Sequence, residues 1–367
     1  MDFALAPEQL LLRDSVARFA AEAARGDANG DAWKTFAELG WLAIGAPDDA
    51  GGFGGPVEVL LLMEQFGRGL VRSAYVSQAV LAGTILRAAR SALLGDAIDG
   101  RRRFAVAYEE PHARYDPSQL QTWVNRDGDG WLLYGSKVRV LDPSTADAIL
   151  VSARTERGIG LFVVPVTAPN VTRNAFPAED RADVADVTFG GTRIERDALL
   201  ADETEGFAIL ERGIDHATAA LCAEALGLCE VMLETTVEYT KTRQQFGVAL
   251  SSFQALQHRM AEMYIELELM RSMAYFAAGA LDDPDPGARK RAISAAKAQV
   301  AKSGRFIGQQ TIQLHGAIGM SEEYKIGHYF KRMTLVERLF GDRDYHLRRY
   351  VALTDTSTRA EVGAVAW

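Results

Sequence analysis

The chain has 367 residues, of which 48% are apolar, and carries a formal charge of −9. A chain of this length exceeds what one hydrophobic core usually serves, so two or three domains are expected. The negative balance argues against an extended polyanion, and no Lys/Arg cluster stands out to hold one, so no nucleic-acid partner is expected.

Cys222 and Cys229 are the only cysteines, and their spacing fits neither a disulfide framework nor a thiolate metal site. The six histidines show no His-Glu-x-x-His pattern, so no metal is expected, and a reducing cytoplasm is the natural setting. After Met1-Asp2-Phe3 no basic segment runs into an apolar one, so no secretory signal is expected. Apolar runs such as Val59 to Met63 fall far short of the roughly 20 residues a membrane helix needs, so a soluble protein without a membrane span is expected.

In chain order, Leu12, Val16, Phe19 and Ala23 recur at three- and four-residue steps, one apolar face of a helix from Pro7 to about Ala24. Further helices are expected over 31–40, 57–70 and 74–94. The run Gly51-Gly52-Phe53-Gly54-Gly55-Pro56 matches no phosphate-loop fingerprint and reads as a turn between helices. From residue 104 the pattern changes to short runs rich in Val, Leu, Tyr and Trp. Strands are expected over 104–108, 119–125, 131–135, 147–154, 160–165, 170–175, 184–190 and 192–196, with Asp127-Gly128-Asp129-Gly130 as a hairpin turn. After Thr204 an apolar stripe through Phe207, Leu210, Ile214, Ala217, Leu221, Leu228, Met232 and Tyr239 predicts one helix of about 50 Å. Helices over 251–281, 287–318 and from about 323 complete a bundle, with Asp282 to Gly287 as one connecting turn. The fold class is therefore α+β and multi-domain: an N-terminal all-α domain (1–103), a middle antiparallel β-barrel or sandwich (104–203) and a C-terminal four-helix bundle (204–367).

Three segments carry chemistry. Thr242-Arg243-Gln244-Gln245-Phe246-Gly247 ends the long helix and Phe253-Gln254 opens the next. Arg offers a fork of donors, Gln a donor and an acceptor, and Phe a flat face, a set suited to a nucleotide; a helix end with a basic residue and a Gly cap has the same composition. Gln313-Leu314-His315-Gly316-Ala317-Ile318-Gly319 closes another helix, where glycines either admit a pyrophosphate or simply turn the chain. Asp129-Gly130-Trp131-Leu132-Leu133-Tyr134-Gly135-Ser136-Lys137 is, alone, a hairpin arm.

In this order and spacing, together with Glu8-Gln9, the Gly-rich turn, Glu64 to Arg68, Glu110-Pro111 and Glu323-Tyr324, these segments resemble the acyl-CoA dehydrogenase family over the whole chain. The resemblance implies FAD held between subunits, with Arg243, Gln245, Phe246 and Gln254 reaching the pyrophosphate and adenosine of a neighbour's FAD. It places Gln313, His315 and Gly316 at the ADP portion, and it implies an obligate oligomer. The segments after Glu110-Pro111 and Lys137 would cover the flavin. There the sequence departs from the family: it reads Glu109-Glu110-Pro111-His112-Ala113-Arg114-Tyr115 in place of Thr-Glu-Pro with small residues, and Arg139-Val140-Leu141 in place of Trp-Ile-Thr.

The family's reaction, α,β-dehydrogenation of an acyl-CoA thioester in fatty acid or steroid side-chain β-oxidation, removes a proton from Cα and passes hydride from Cβ to the flavin. It therefore needs a carboxylate base. By spacing, the two positions that supply it in relatives fall on Phe340 and Ala217, neither of which accepts a proton. Glu224, Asp215, Glu211 and Asp342 are the available substitutes, none singled out by geometry, so the base is unknown. The variant Phe-Gly-Asp-x-Asp-Tyr-His is similar to the smaller subunit of two-subunit acyl-CoA dehydrogenases. A heterotetramer with a Glu-bearing paralogue is thus expected, a homo-oligomer being the alternative, with an electron-transferring flavoprotein as acceptor. Competing readings are a flavin monooxygenase or nitroalkane-oxidase relative, and a non-catalytic FAD-binding structural subunit.

Overall fold

The computed structural model describes residues 5–24, 32–178, 180 and 182–364. The chain separates into two compact units, one of Gly30–Gly55 and Arg72–Ala217, the other of Met1–Asn29, Pro56–Val71 and Thr218–Trp367.

The first unit is built on eight strands: β1 (Phe104–Ala107), β2 (Trp123–Asp127), β3 (Gly130–Leu141), β4 (Ala148–Arg154), β5 (Ile159–Pro165), β6 (Val171–Pro177), β7 (Asp183–Ile194) and β8 (Leu199–Ala201). They form one sheet in the order β6-β7-β3-β2-β4-β5-β8, with β1 added on β4. The predicted Asp127–Gly130 turn joins β2 to β3, and Gly128 takes the left-handed conformation that turn needs (φ 62°). Pairing is antiparallel throughout except where β1 runs parallel to β4, Phe104 opposite Ala148, and where β2 touches β4 at Trp123 and Arg154. Alternate residues of β4 (Ile149, Val151, Ala153), β5 (Phe162, Val164) and β7 (Val187, Phe189) meet in one core, as a period of two requires. The strands expected over 184–190 and 192–196 are one strand: Gly191 (φ 83°) absorbs a register shift opposite Leu133 and Tyr134 as a bulge, not a chain reversal.

The helices of this unit are α2 (Trp33–Glu38), a π-helix (Tyr75–Ala82) that continues into α4 (Gly83–Ala88), and α5 (Leu94–Ile98). The helix expected over 31–40 is thus shorter, and position 31 lies outside the described residues. The helix expected over 74–94 is broken, because Arg90 adopts φ 51° and Ser91 N–H returns to Leu86 O at 3.0 Å. The good helix formers around Arg90 hide that turn from periodicity. The Gly-rich run is a turn as expected: Gly51 is left-handed (φ 81°), and a Cβ on Gly52 would lie 2.1 Å from Ala46 O.

The second unit contains α1 (Pro7–Ala24), α3 (Pro56–Gly69), most of α6 (Gly206–Thr242), and then α7 (Gln254–Ala280), α8 (Pro286–His315), α9 (Lys325–Arg338) and α10 (Arg343–Ala364). α8 packs on α7, α9 and α10, and α1 on α3. Asp285 starts α8 by accepting from the N–H groups of Gly287 (2.8 Å) and Ala288 (3.1 Å), with Pro286 in the first turn. α3 and α6 touch backbone to backbone: a Cβ on Gly227 would lie 1.9 Å from Glu64 O, and one on Gly67 2.1 Å from Glu224 O. This is why the Glu64 to Arg68 segment carries a glycine. By length and composition α6 is apolar enough to cross a membrane, its best window averaging a hydropathy of 1.3, which the reading of short apolar runs overlooked. That window is wholly buried, so α6 is a core helix. The single final helical stretch expected from 323 is two helices, α9 and α10, separated at Leu339-Phe340-Gly341.

Candidate functional site

α6 ends at Thr242, and the next residues form a two-residue hairpin: β9 (Gln244–Gln245) pairs with β10 (Val248–Ala249), with Phe246 and Gly247 at its tip. Both tip residues are left-handed, φ 54° and 81°, as the tightest hairpin turn requires. Glycine meets this freely; phenylalanine does so against a steric cost, roughly 1–2 kcal/mol. Its ring is 92% exposed, so burial does not offset that cost, and among the described residues its only ring contact is edge-on with Phe253 at 6.2 Å. Arg243, Gln245 and Gln254 are also exposed. Neither the Arg243 guanidinium nor the Gln254 amide has a partner among the described residues, whereas the Gln245 amide donates to Gln244 O at 2.9 Å. Exposed donors without a partner among the described residues thus lie close in sequence to a solvent-facing aromatic ring in the left-handed conformation.

The second predicted segment divides. Gln313 and Gly316 are exposed, Gly316 with φ 64°. His315 is buried, its Nδ1 2.8 Å from Thr311 O, and it lies stacked on Tyr239 (4.4 Å between centroids) and beside Tyr324 (5.3 Å). Its Nε2 is buried without a hydrogen-bond partner among the described residues. Burial holds the imidazole below its usual pKa, against the Thr311 carbonyl, so the ring is neutral. Hairpin, Gln254 and the α8 terminus all belong to one compact unit.

In the other unit the Glu110-Pro111 and Gly135-x-Lys137 segments are joined by their side chains. Lys137 Nζ lies 2.7 Å from Glu110 Oε1 and 3.2 Å from Ser152 Oγ. Glu110 also accepts from the N–H groups of Gln121 (2.6 Å) and Thr122 (3.1 Å). Burial raises the Glu110 pKa, but the ammonium and these donors outweigh it and the net shift is downward. Both residues are therefore scaffold. In the departing loop, Glu109 accepts from Arg139 Nε at 2.9 Å, and the guanidinium sits 5.7 Å from the Tyr115 ring. Arg114, Tyr115 and Arg139 are all left-handed (φ 43°, 75° and 53°).

The carboxylates weighed as bases have other work. Glu224 is buried and chelated by Arg332, Nε to Oε1 at 2.5 Å and Nη2 to Oε2 at 2.9 Å. Asp342 accepts from Tyr345 N–H at 2.8 Å and starts α10. On α6, Asp215 is buried and Glu211 half-buried, and neither is without a partner. Ala217 is fully buried, and Phe340 is 3% exposed.

Sequence reasoning missed Lys297 and His346. Lys297 is buried in α8, and its Nζ donates to Val336 O (2.5 Å) and Glu337 O (3.2 Å) at the end of α9. His346 Nε2 lies 3.1 Å from Phe340 O. The signal was a lysine set among Ile293, Ala296, Val300 and Ala301 on the apolar face of a helix.

Models of the acyl-CoA dehydrogenase N-terminal, middle and C-terminal domains match residues 6–93, 105–190 and 204–352 in turn. Similar proteins include the mitochondrial short-chain specific acyl-CoA dehydrogenase of Bos taurus, 27% identical over 83% of this chain and 77% of the relative. FadE12 of Mycobacterium tuberculosis is 28% identical over 87% and 88%. Among solved structures, the Tcur3481–Tcur3483 steroid ACAD superposes with a TM-score of 0.85 at 29% identity, covering 96% of this chain and 99% of that one. The ChsE4–ChsE5 complex of Mycobacterium tuberculosis shares the fold, with a TM-score of 0.83 at 24% identity over 95% and 98%. With its helices, middle sheet and C-terminal bundle in the order of the three matched domains, the chain belongs to the acyl-CoA dehydrogenase family of FAD-dependent oxidoreductases.

Proposed function

We propose that this chain is the base-less subunit of a two-subunit acyl-CoA dehydrogenase, contributing cofactor-binding side chains to an assembly in which a paralogue supplies the catalytic glutamate. The observation that carries this reading is the residue at the α9–α10 turn, Phe340, in the place where spacing puts the glutamate, with no other weighed carboxylate free to replace it: Glu224 is tied to Arg332 and Asp342 to the start of α10. Likeness to the Tcur3481–Tcur3483 steroid ACAD supports a two-subunit assembly and a bulky acyl-CoA substrate.

FAD, when bound, supplies the hydride acceptor for the Cβ hydrogen of the thioester. The exposed Arg243 fork would pair with phosphate oxygens. The Phe246 ring would lie against a flat heterocycle, and the amides of Gln245, Gln254 and Gln313 would bond polar edges. Gly316, with no Cβ, would let the backbone approach the ADP portion, and the neutral His315, buried against Tyr239 and Tyr324, would back the same region from inside. Exposed on their own unit, Arg243, Gln245, Phe246, Gln254, Gln313 and Gly316 suit a nucleotide shared with a neighbouring subunit. The electron acceptor proposed is an electron-transferring flavoprotein.

The test is co-expression with an adjacent-frame paralogue that retains the glutamate. The expected result is a complex that dehydrogenates acyl-CoA thioesters with an artificial electron acceptor, while this chain alone does not. Robust turnover by this chain alone would overturn the reading.

A further inference from the structure

The connection between α9 and α10 is more heavily built than a turn between two helices needs. The last carbonyls of a helix are usually satisfied by water or by a following glycine. Here those of Val336 and Glu337 receive an ammonium, Lys297 Nζ, at 2.5 and 3.2 Å, from a side chain 1% exposed. Taking a lysine out of water is costly and needs compensation. Glu224 on α6, Glu337 on α9 and Asp342 after the turn face it electrostatically, beside the Cys222 thiol, which burial pushes up to about 12 and so keeps neutral, and His346 on α10 lies in its field together with Arg349. Three residues past Glu337, the Phe340 carbonyl is bonded by His346 Nε2 at 3.1 Å, and since this ring is neutral, Nε2 carries the proton.

The residue so held is a phenylalanine at φ 56°, followed by Gly341 at φ 111°. A Cβ on Gly341 would lie 2.4 Å from the Tyr345 ring, so the glycine is obligatory. Leu70 after α3 (φ 49°) and Arg90 after α4 (φ 51°) are left-handed as well, so what sets Phe340 apart is the pair of buried donors, Lys297 and His346, on the carbonyls around it. A bulky residue persists there only when its surroundings dictate it, the condition found where a side chain has to be aimed.

We infer that the α9–α10 turn is a catalytic platform kept intact under a residue that cannot do the chemistry. Lys297 and His346 are its positioning residues, and Phe340 alone separates it from a turn presenting a general base. This rests on the reading above that position 340 is where relatives carry the glutamate.

The experiment compares Phe340→Glu, Phe340→Gln and Lys297→Met in the full FAD-loaded chain, with two readouts. Amide hydrogen exchange over residues 336–346 reports the platform. Deuterium wash-in at the α-carbon of butyryl-CoA, small enough to enter a pocket shaped for larger acyl groups, reports the base. In that step the carboxylate takes the α-proton, the C–H electron pair stays on the thioester as its enolate, and a deuteron returns, with no net oxidation. The expected result is that both Phe340 variants keep wild-type protection and Lys297→Met loses it about tenfold. Phe340→Glu then exchanges the α-hydrogens at least about a hundredfold faster than wild type or Phe340→Gln, within the range of general-base contributions. Adding Lys297→Met to Phe340→Glu raises the pH midpoint of exchange, because a nearby cation has gone, which loss of structural support alone would not do. Loss of protection in both Phe340 variants, or a protected Phe340→Glu that does not exchange, would overturn the inference. Exchange by the wild-type chain at the Phe340→Glu rate would instead overturn the base-less reading.

Discussion

Lys137 Nζ and Glu110 Oε1 meet at 2.7 Å with both side chains almost wholly buried, 0% and 2% exposed. Two segments 27 residues apart in sequence are thereby fixed against each other at the point where the chain departs from its relatives. Because the carboxylate also holds two backbone N–H groups, removing the ammonium strands a buried charge. Lys137→Met is expected to destabilise the sheet unit by about 3–5 kcal/mol, and adding Glu110→Gln to recover much of that loss. Urea unfolding followed by tryptophan fluorescence measures both; a single variant as stable as wild type would show that the pair is not a structural lock.

Glu64 gives the fold a pH dependence. Burial, with the Glu230 carboxylate adding to it, lifts its pKa from 4.5 to about 7, against the pull of Arg271 and Arg68. Its Oε2 is buried without a partner among the described residues. A carboxyl raised on folding binds more protons in the folded state, so it costs nothing well below pH 4.5, where both states are protonated, and becomes a growing penalty as pH rises from 4.5 to about 7, above which the penalty is constant. Glu64→Gln is expected to remove that slope and to be more stable than wild type by roughly 1–3 kcal/mol at pH 8. Melting curves of the two proteins between pH 5 and 8, subtracted from each other, read the effect of this one group.

The α3–α6 crossing predicts an intolerance. A methyl group on Gly227 would stand 1.9 Å from Glu64 O, a backbone atom that cannot swing away. Gly227→Ala is expected to cost at least about 3 kcal/mol by forcing the helices apart. Gly83→Ala, where nothing lies within 4 Å of the added atom, is its control and should leave the melting temperature within a few degrees of wild type.

Strain at the hairpin tip separates stability from cofactor binding. Phe246→Gly relieves a left-handed phenylalanine and should stabilise the hairpin by about 1 kcal/mol. The same change removes the exposed ring, so FAD retention through gel filtration should fall. Arg243→Gln, with no strain to relieve, should weaken FAD binding by roughly tenfold or more at unchanged stability, as loss of a charged hydrogen bond implies. Equal FAD content in wild type and both variants would remove these residues from the cofactor site.

Local pattern alone marked the long helices, the Asp127–Gly130 hairpin, the Gly-rich turn and the ordered motifs, because periods of 3.6 and 2 and the conformational needs of glycine act over a few residues. The resemblance to the family, rather than local pattern, put Phe340 and Ala217 at the two base positions, and neither side chain can accept a proton. What local pattern left undecided were relationships across long stretches of chain. Phe340-Gly341 breaks a helical pattern that reads as continuous, where Lys297 from α8 holds the carbonyls of Val336 and Glu337 and His346 from α10 holds that of Phe340. Arg332 takes Glu224 out of contention as a base from 108 residues away. β1 lies parallel to β4, and His315 is enclosed by Tyr239 and Tyr324. Sequence thus determined which groups could do chemistry. Tertiary structure decided which of them had already been used, because desolvation makes every buried charge take a partner, wherever in the chain that partner lies.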